Sequence, residues 1–226
     1  MIQENIKTVR ANMAAACKRS GRNINDVTLI AVSKTKPVSM IEEALSTGTF
    51  DFGENKVQEI LEKKPVLPEQ VRFHMIGHLQ RNKVKQVIDK VVLIHSVDSL
   101  RLAEQIEEEA AKQNLHADVL LEVNVAREES KYGFFMEEVE EAVNKIGNLS
   151  HITVKGLMTI APFVENPEDN REIFKKLYQL YVDIKSKNID NGTMSVLSMG
   201  MTGDYEVAIE EGATMIRVGT GIFGTR

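Results

Sequence analysis

The sequence predicts a single α/β domain closed as a (β/α)8 TIM-type barrel, with one extra helix at its N-terminus. Three observations carry that expectation. Short apolar stretches recur at 27–32, 50–53, 72–76, 91–97, 118–125, 153–160, 195–199 and 215–218. Helix-period segments lie between them, and every connection is long enough to cross over to a parallel neighbour. The 226 residues also show no linker, low-complexity tract or composition shift, so residues 1–226 read as one domain, short for a barrel. An open doubly wound sheet is the competing arrangement.

The elements follow in order. Ile2, Ile6, Val9, Met13 and Cys17 recur at spacings of three and four, which is the stripe of an amphipathic helix, and Ser20-Gly21 stops it. The run 27–32 is rich in β-branched residues and suits a strand buried on both faces. Further on, Asp98 can cap a helix carrying Leu102, Ile106 and Ala110, and Val139, Val143 and Ile146 mark another. Asn166-Pro167 opens a long helix on Ile173, Leu177, Leu180 and Ile184, with proline suited to the first helical position.

Composition narrows the function classes. A net charge of −5 gives no nucleic-acid footprint, and short basic runs such as Lys7 to Arg10 are balanced by acidic ones such as Glu107 to Glu109. Cys17 is the only cysteine, which excludes an internal disulfide and a cysteine-based metal site. The N-terminus lacks the regions of a signal peptide, and no apolar run spans a bilayer, so a cytoplasmic protein is expected.

In a barrel the chemistry sits at the C-terminal ends of the strands. That rule selects Ser33-Lys34-Thr35-Lys36-Pro37, Gly53-Glu54-Asn55, Gly77-His78-Leu79-Gln80, Ser198-Met199-Gly200-Met201 and Arg217-Val218-Gly219-Thr220-Gly221. The last two follow the seventh and eighth strands, where barrels commonly cup a phosphate. Glycines there let backbone N–H groups approach an anion, and hydroxyls add donors. The plainer reading is that these glycines only turn the chain. Lys34 would present an amine in a partly desolvated mouth, which lowers its pKa and favours Schiff-base formation. From spacing alone, Lys34 and Lys36 read as loop lysines. Arg217, inside a strand, requires an acceptor: a bound anion, or a neighbouring acid such as Glu54. Of the histidines only His74 and His78 are close in sequence. The strand end at Gly77 separates them, so no metal site is expected and His74 should pack inside the barrel.

Read together, Ala31 to Pro37, Phe52 to Asn55, Phe73 to Lys83, Gly156 to Met158, Leu197 to Met201 and Ile216 to Gly224 resemble the YggS/PROSC family of pyridoxal phosphate homeostasis proteins nearly end to end. The resemblance implies a barrel like the N-terminal domain of alanine racemase. It implies pyridoxal 5′-phosphate (PLP) held as an aldimine on Lys34, with Arg217 facing the pyridine nitrogen. By the same resemblance Ser198, Gly219 and Thr220 hold the phosphate and Asn55 lines the ring, and Ile76, Gly77, Met199 and Gly200 are further cofactor-binding residues. Met201-Thr202 departs from the family's Met-Ser but keeps a hydroxyl. The chain also stops at Arg226, sooner than many members.

The resemblance implies a monomer, or a dimer, that buffers or delivers PLP to apo-forms of PLP-dependent enzymes without strong catalysis of its own. An arginine beside the pyridine nitrogen weakens the ring as an electron sink. A small PLP-dependent racemase or decarboxylase is the alternative, and a cofactor-free Schiff-base aldolase a third.

Overall fold

The computed structural model describes residues 1–188 and 193–225; Arg226, where the sequence stops, lies outside them. Eight strands form a closed parallel barrel in chain order: β1 (Thr28–Val32), β2 (Asp51–Glu54), β3 (Arg72–Met75), β4 (Leu93–Val97), β5 (Ala117–Glu122), β6 (Ile152–Met158), β7 (Val196–Met201) and β8 (Met215–Val218). β1 pairs with β8, with Ile30 opposite Arg217, and this pairing closes the ring. The open sheet is thereby excluded. The surrounding helices are α1 (Ile2–Arg19), α2 (Val38–Leu45), α3 (Val57–Lys63), α4 (Val84–Val87), α5 (Leu100–Gln113), α6 (Met136–Gly147), α7 (Arg171–Ser186), α8 (Tyr205–Glu210) and α9 (Thr220–Phe223).

Two local expectations are corrected. The side chain that caps α5 is Ser99, whose Oγ accepts from Leu102 N at 3.3 Å. Asp98 instead accepts from Ser99 Oγ and sits 3.0 Å from His78 Nδ1. Residues 123–125 are not strand. Val123 N still donates to Met158 O on β6, and beyond it the chain leaves the barrel wall to pair Asn124 N with Phe134 O, a contact inside the β5–α6 loop. At Asn166-Pro167 the asparagine does accept from Glu168 N, opening a 3-10 turn (Pro167–Asn170) that runs into α7.

Side chains alternate across each strand, so half face the helices and half face the barrel axis. The outward half, including Ala31, Phe52, Phe73, Leu121, Leu197 and Ile216, packs with the helices into one continuous core. The inward half is layered, as in barrels generally. Leu93, Leu120 and Met158 form an apolar plug, with Val196 and Met215 against it. Two residues further along their strands come His95, Glu122, Ser198 and Arg217, all buried and all polar. The layer nearest the mouth is therefore built for polar contacts.

α1 lies outside the barrel across the first and last units. Asn5 Nδ2 donates to Ile222 O at 2.8 Å, Arg22 Nη1 donates to Ile209 O and Ala213 O, and Arg10 Nη1 donates to Thr47 O. Its apolar stripe (Ile2, Ile6, Val9, Met13, Ala16, Cys17) is buried against them. Truncating one of its larger members, such as Ile6, costs about 2–5 kcal/mol by general experience with buried aliphatics.

Candidate functional site

β1 positions the lysine. Ile30 and Val32 face the barrel axis, since a Cβ built on Gly53 of the next strand would meet Ile30 Cγ2 at 3.0 Å and Ile76 Cδ1 at 2.8 Å. Continuing that alternation points Lys34 into the mouth. Its amine has no hydrogen bond or ion pair among the described residues, whereas Lys36 Nζ donates to Gly224 O and Thr225 O. The two lysines of the loop are thus in different states: one free, one tied.

The turn around Lys34 is held from behind. Glu54 faces outward from β2 and its Oε1 accepts from Ser33 Oγ at 2.7 Å and from Lys63 Nζ at 2.7 Å. Lys63, on α3, also donates to Ser33 O at 2.9 Å and to Glu59 Oε2 at 2.8 Å. Glu59 Oε2 in turn accepts from Thr35 N at 2.6 Å. Both chain neighbours of Lys34 are therefore bound to one buried charge cluster. Thr35 carries φ 61°, a left-handed conformation unfavourable for a β-branched residue, and the cluster holds it there. Burial pushes the Glu54 carboxyl up to about 7 against the hydrogen bonds of Lys63 and Ser33. Glu54 Oε2 has no partner. The expected Glu54–Arg217 contact does not exist, because alternation puts Gly53 inward and Glu54 outward.

Arg217 points inward from β8. Nη1 donates to Ser198 Oγ at 2.5 Å and Nη2 to Thr159 O at 2.8 Å. These use two of its five N–H groups. The other three have no acceptor among the described residues, although the side chain is almost fully buried. Burial holds the guanidinium down to about 10, against the opposing charges of Glu122 and Asp204, so it is cationic at neutral pH.

The expected phosphate residues divide. Gly219, at the end of β8, and Thr220 are at the mouth. Gly219 N and Gly221 N each lie 3.3 Å from Thr202 Oγ1, the hydroxyl that replaces the family's serine. Gly200 has φ 90°, and a Cβ there would sit 2.5 Å from that of Ala208, so only glycine fits this approach to α8. The hydroxyl of Ser198 is buried inside the barrel, engaged by Arg217 and by His95 Nδ1 at 3.0 Å. Met199 faces outward into the helix-packed core, which leaves only its backbone for a ligand. On the opposite side of the mouth Asn55 and Gly77 touch, since a Cβ on Gly77 would lie 2.5 Å from Asn55 O. Ile76 is beside them, buried and inward.

Several groups were not singled out from sequence. Glu122 ends β5, is 7% exposed, and makes no side-chain hydrogen bond among the described residues. Burial and the charge of Asp98 push it up to about 7, against Arg217 and Lys131. An acid closing an apolar strand was the available signal. Tyr132 stacks on His78 with centroids 3.8 Å apart, joining the β5–α6 loop to the loop after β3. His74 is buried in the barrel, as expected, and bonded to His95 and Asp51. Among the described residues no His/Cys/Asp/Glu group could hold a metal ion, and no helix is long and apolar enough to cross a membrane.

A closed parallel barrel with an inward lysine after β1 and a buried arginine in β8 defines a recognisable class. The model of the alanine racemase N-terminal domain matches residues 5–226. Among full-length relatives, the pyridoxal phosphate homeostasis protein of Aquifex aeolicus is 45% identical over 224 residues, covering 99% of this chain and 97% of that one. Its counterpart in Escherichia coli K12 is 35% identical over 231 residues, covering 100% and 97%. The chain belongs to the pyridoxal phosphate homeostasis proteins, within the alanine racemase N-terminal domain family. Among solved structures, PipY of Synechococcus elongatus with PLP bound superposes with TM-score 0.86 at 30% identity, covering 99% of this chain and 100% of PipY. Alanine racemase of Clostridium difficile shares the fold, with TM-score 0.75 at 16% identity, 99% of this chain and 57% of the racemase.

Proposed function

We propose that this chain binds PLP through Lys34 and serves the cell as a carrier of it, buffering the cofactor or delivering it to apo-forms of PLP-dependent enzymes in the cytoplasm. One observation carries the reading: the unpartnered amine of Lys34 shares a mouth with a buried arginine that has three N–H groups to spare. An unprotonated pyridine nitrogen is an acceptor that such a cation suits. The Gly219–Gly221 backbone and the hydroxyls of Thr202 and Thr220 suit a phosphate. PLP supplies an aldehyde, which condenses with a primary amine to a Schiff base and releases water. The PLP-bound PipY structure and the names of the relatives support the same reading.

Within it, Asn55, Ile76 and Gly77 line one side of the ring, Gly200 and the Met199 backbone flank the phosphate, and Ser198 acts through Arg217. A cation beside the pyridine nitrogen disfavours a second positive charge there, which makes the bound cofactor a poor electron sink. Carriage fits that chemistry better than turnover.

Borohydride reduction followed by peptide mass spectrometry tests the attachment. The adduct is expected on Lys34 in the wild type and in Lys36→Ala, and absent from Lys34→Ala. A reducible adduct at full occupancy in Lys34→Ala would overturn the assignment. Carrier and enzyme are separated by α-proton exchange of amino acids in deuterated water, expected to be slow with the PLP-loaded wild type. Fast exchange would make the protein an enzyme.

A further inference from the structure

Beneath Arg217 a line of polar groups, buried as far as His74 and half-buried at Asp51, crosses the barrel. Arg217 Nη1 lies 2.5 Å from Ser198 Oγ, and Ser198 Oγ lies 3.0 Å from His95 Nδ1. His95 Nε2 is 3.0 Å from His74 Nδ1, and His74 Nε2 is 3.1 Å from Asp51 Oδ1. The five residues come from five strands: β8, β7, β4, β3 and β2.

The direction of every bond follows from one fact. Arginine can only donate. Ser198 Oγ therefore accepts from Arg217, and its single proton goes to its other neighbour, His95 Nδ1. That nitrogen is then the unprotonated one, so His95 carries its proton on Nε2 and donates to His74 Nδ1. His74 in turn carries its proton on Nε2 and donates to Asp51. The line ends on a carboxylate. Burial raises Asp51, but the bonds from His74 and from Arg72 outweigh it and bring the carboxyl down to about 2.

The reverse polarity fails. If His95 donated from Nδ1, Ser198 would receive two donors, and its own proton would have no acceptor among the described residues. Burial first, then the charge of Arg217, holds His95 well below its ordinary range, which keeps it neutral. A buried network with each member satisfied in only one way is rigid.

We propose that His95 and His74 are positioning residues for Arg217: their fixed tautomers turn a Ser198 lone pair toward the guanidinium and leave its free N–H groups aimed at the ligand. The inference rests on the reading that Arg217 meets the ring nitrogen of PLP. Neither histidine touches the ligand. Their effect is carried by the orientation of one hydroxyl.

The first measurement needs no ligand. Long-range 1H–15N correlation on the imidazoles of the protein free of PLP should show both rings neutral and protonated on Nε2. A His95 protonated on Nδ1, or on both nitrogens at neutral pH, would overturn the proposal.

The second compares dissociation constants of PLP and of pyridoxal, which lacks the phosphate. In His95→Phe both should weaken by the same factor, roughly tenfold, because the loss is at the ring and not at the phosphate. His95→Asn places an oxygen where Nδ1 stands and should recover most of the loss. A folded His95→Phe that binds both ligands as the wild type does would sink the idea. So would failure of His95→Asn to recover, or a loss confined to PLP. If His95→Phe does not fold, the tautomers and His95→Asn decide. A wild type that binds neither ligand would instead refute the PLP reading, and the tautomers can still come out as derived.

Discussion

Lys63 Nζ sits 2.9 Å from the carbonyl oxygen of Ser33, so a helix lysine thirty residues away holds the peptide unit that precedes Lys34. The same ammonium joins Glu54 and Glu59, and through Glu59 it reaches the far side of Lys34 at Thr35 N. The turn that presents the free amine is thus set by a buried charge cluster and not by the β1 strand alone.

Removing that lysine strands two carboxylates. Lys63→Met is expected to lower the unfolding free energy by about 3–5 kcal/mol, the usual result of breaking a buried pair from one side. Adding Glu54→Gln should restore part of the loss, because the two sites are in contact and do not add. Urea denaturation of the two variants checks this. With Glu54→Gln measured alone as well, a double-variant loss equal to the sum of the two single losses would show that Glu54 and Lys63 are not coupled.

Glu122 sets a dependence on pH. Its carboxyl, ordinarily near 4.5, is held up to about 7 in the folded chain. The folded protein therefore binds this proton more tightly than the unfolded chain does. Stability falls as pH rises from about 4.5 to 7, by no more than about 3 kcal/mol, and is level above. Glu54 contributes with the same sign. Urea midpoints at pH 5 and pH 8 should differ less in Glu122→Gln than in the wild type. An unchanged difference would contradict the burial argument.

At the opposite mouth wall the prediction concerns a glycine. The nearest atoms to a Cβ on Gly219 would be those of Val32, at 3.4 Å or more, which is ordinary contact. Gly219→Ala should therefore fold with little loss, and its effect reports on the ligand. PLP affinity should fall several-fold while pyridoxal is bound as before. Retained preference for PLP over pyridoxal would remove Gly219 from the phosphate site. Gly77→Ala, by contrast, forces a carbon to within 2.5 Å of Asn55 O and should be destabilising.

Arg217→Glu tests the electron-sink argument. A carboxylate there should favour a protonated pyridine nitrogen and speed α-proton exchange in the PLP-loaded protein, provided the variant folds. Circular dichroism checks the fold, and exchange in deuterated water gives the rate. A folded, loaded variant that exchanges no faster than the wild type would show that the cation is not what restrains the ring.

How much of this was legible beforehand depended on how local the cause was. The run 215–218 matches β8 in both bounds because four apolar or strand-forming residues sit between a helix stop and a glycine turn. Lys34 and Arg217 could be picked out because each is a cation at or in an apolar strand. The partner of Arg217 could not be read, since it depends on register: one residue along β2, inward Gly53 becomes outward Glu54. The resemblance assigns Ser198 to the phosphate, and only the structure shows its hydroxyl bonded to Arg217, nineteen residues away on the neighbouring strand. Lys63 and the His74–His95 pair carry no local pattern at all, and Glu122 shows only as an acid closing an apolar strand. Their roles arise only when the ring closes.

The helix α1 is made long before the residues that cover it. Its hydrogen-bond partners on α8 and α9 lie some 187 to 217 positions later in the chain. Until α8 and α9 are in place, the stripe from Ile2 to Cys17 has only the part of its final packing that α2 and the turn before β1 supply, and an unfinished chain carries the rest of it uncovered. Contacts at such separation slow folding, because the loop they close must be ordered first. The segment most exposed to a chaperone, or to another unfinished copy, is thus the one that in the finished molecule clasps the barrel's beginning to its end.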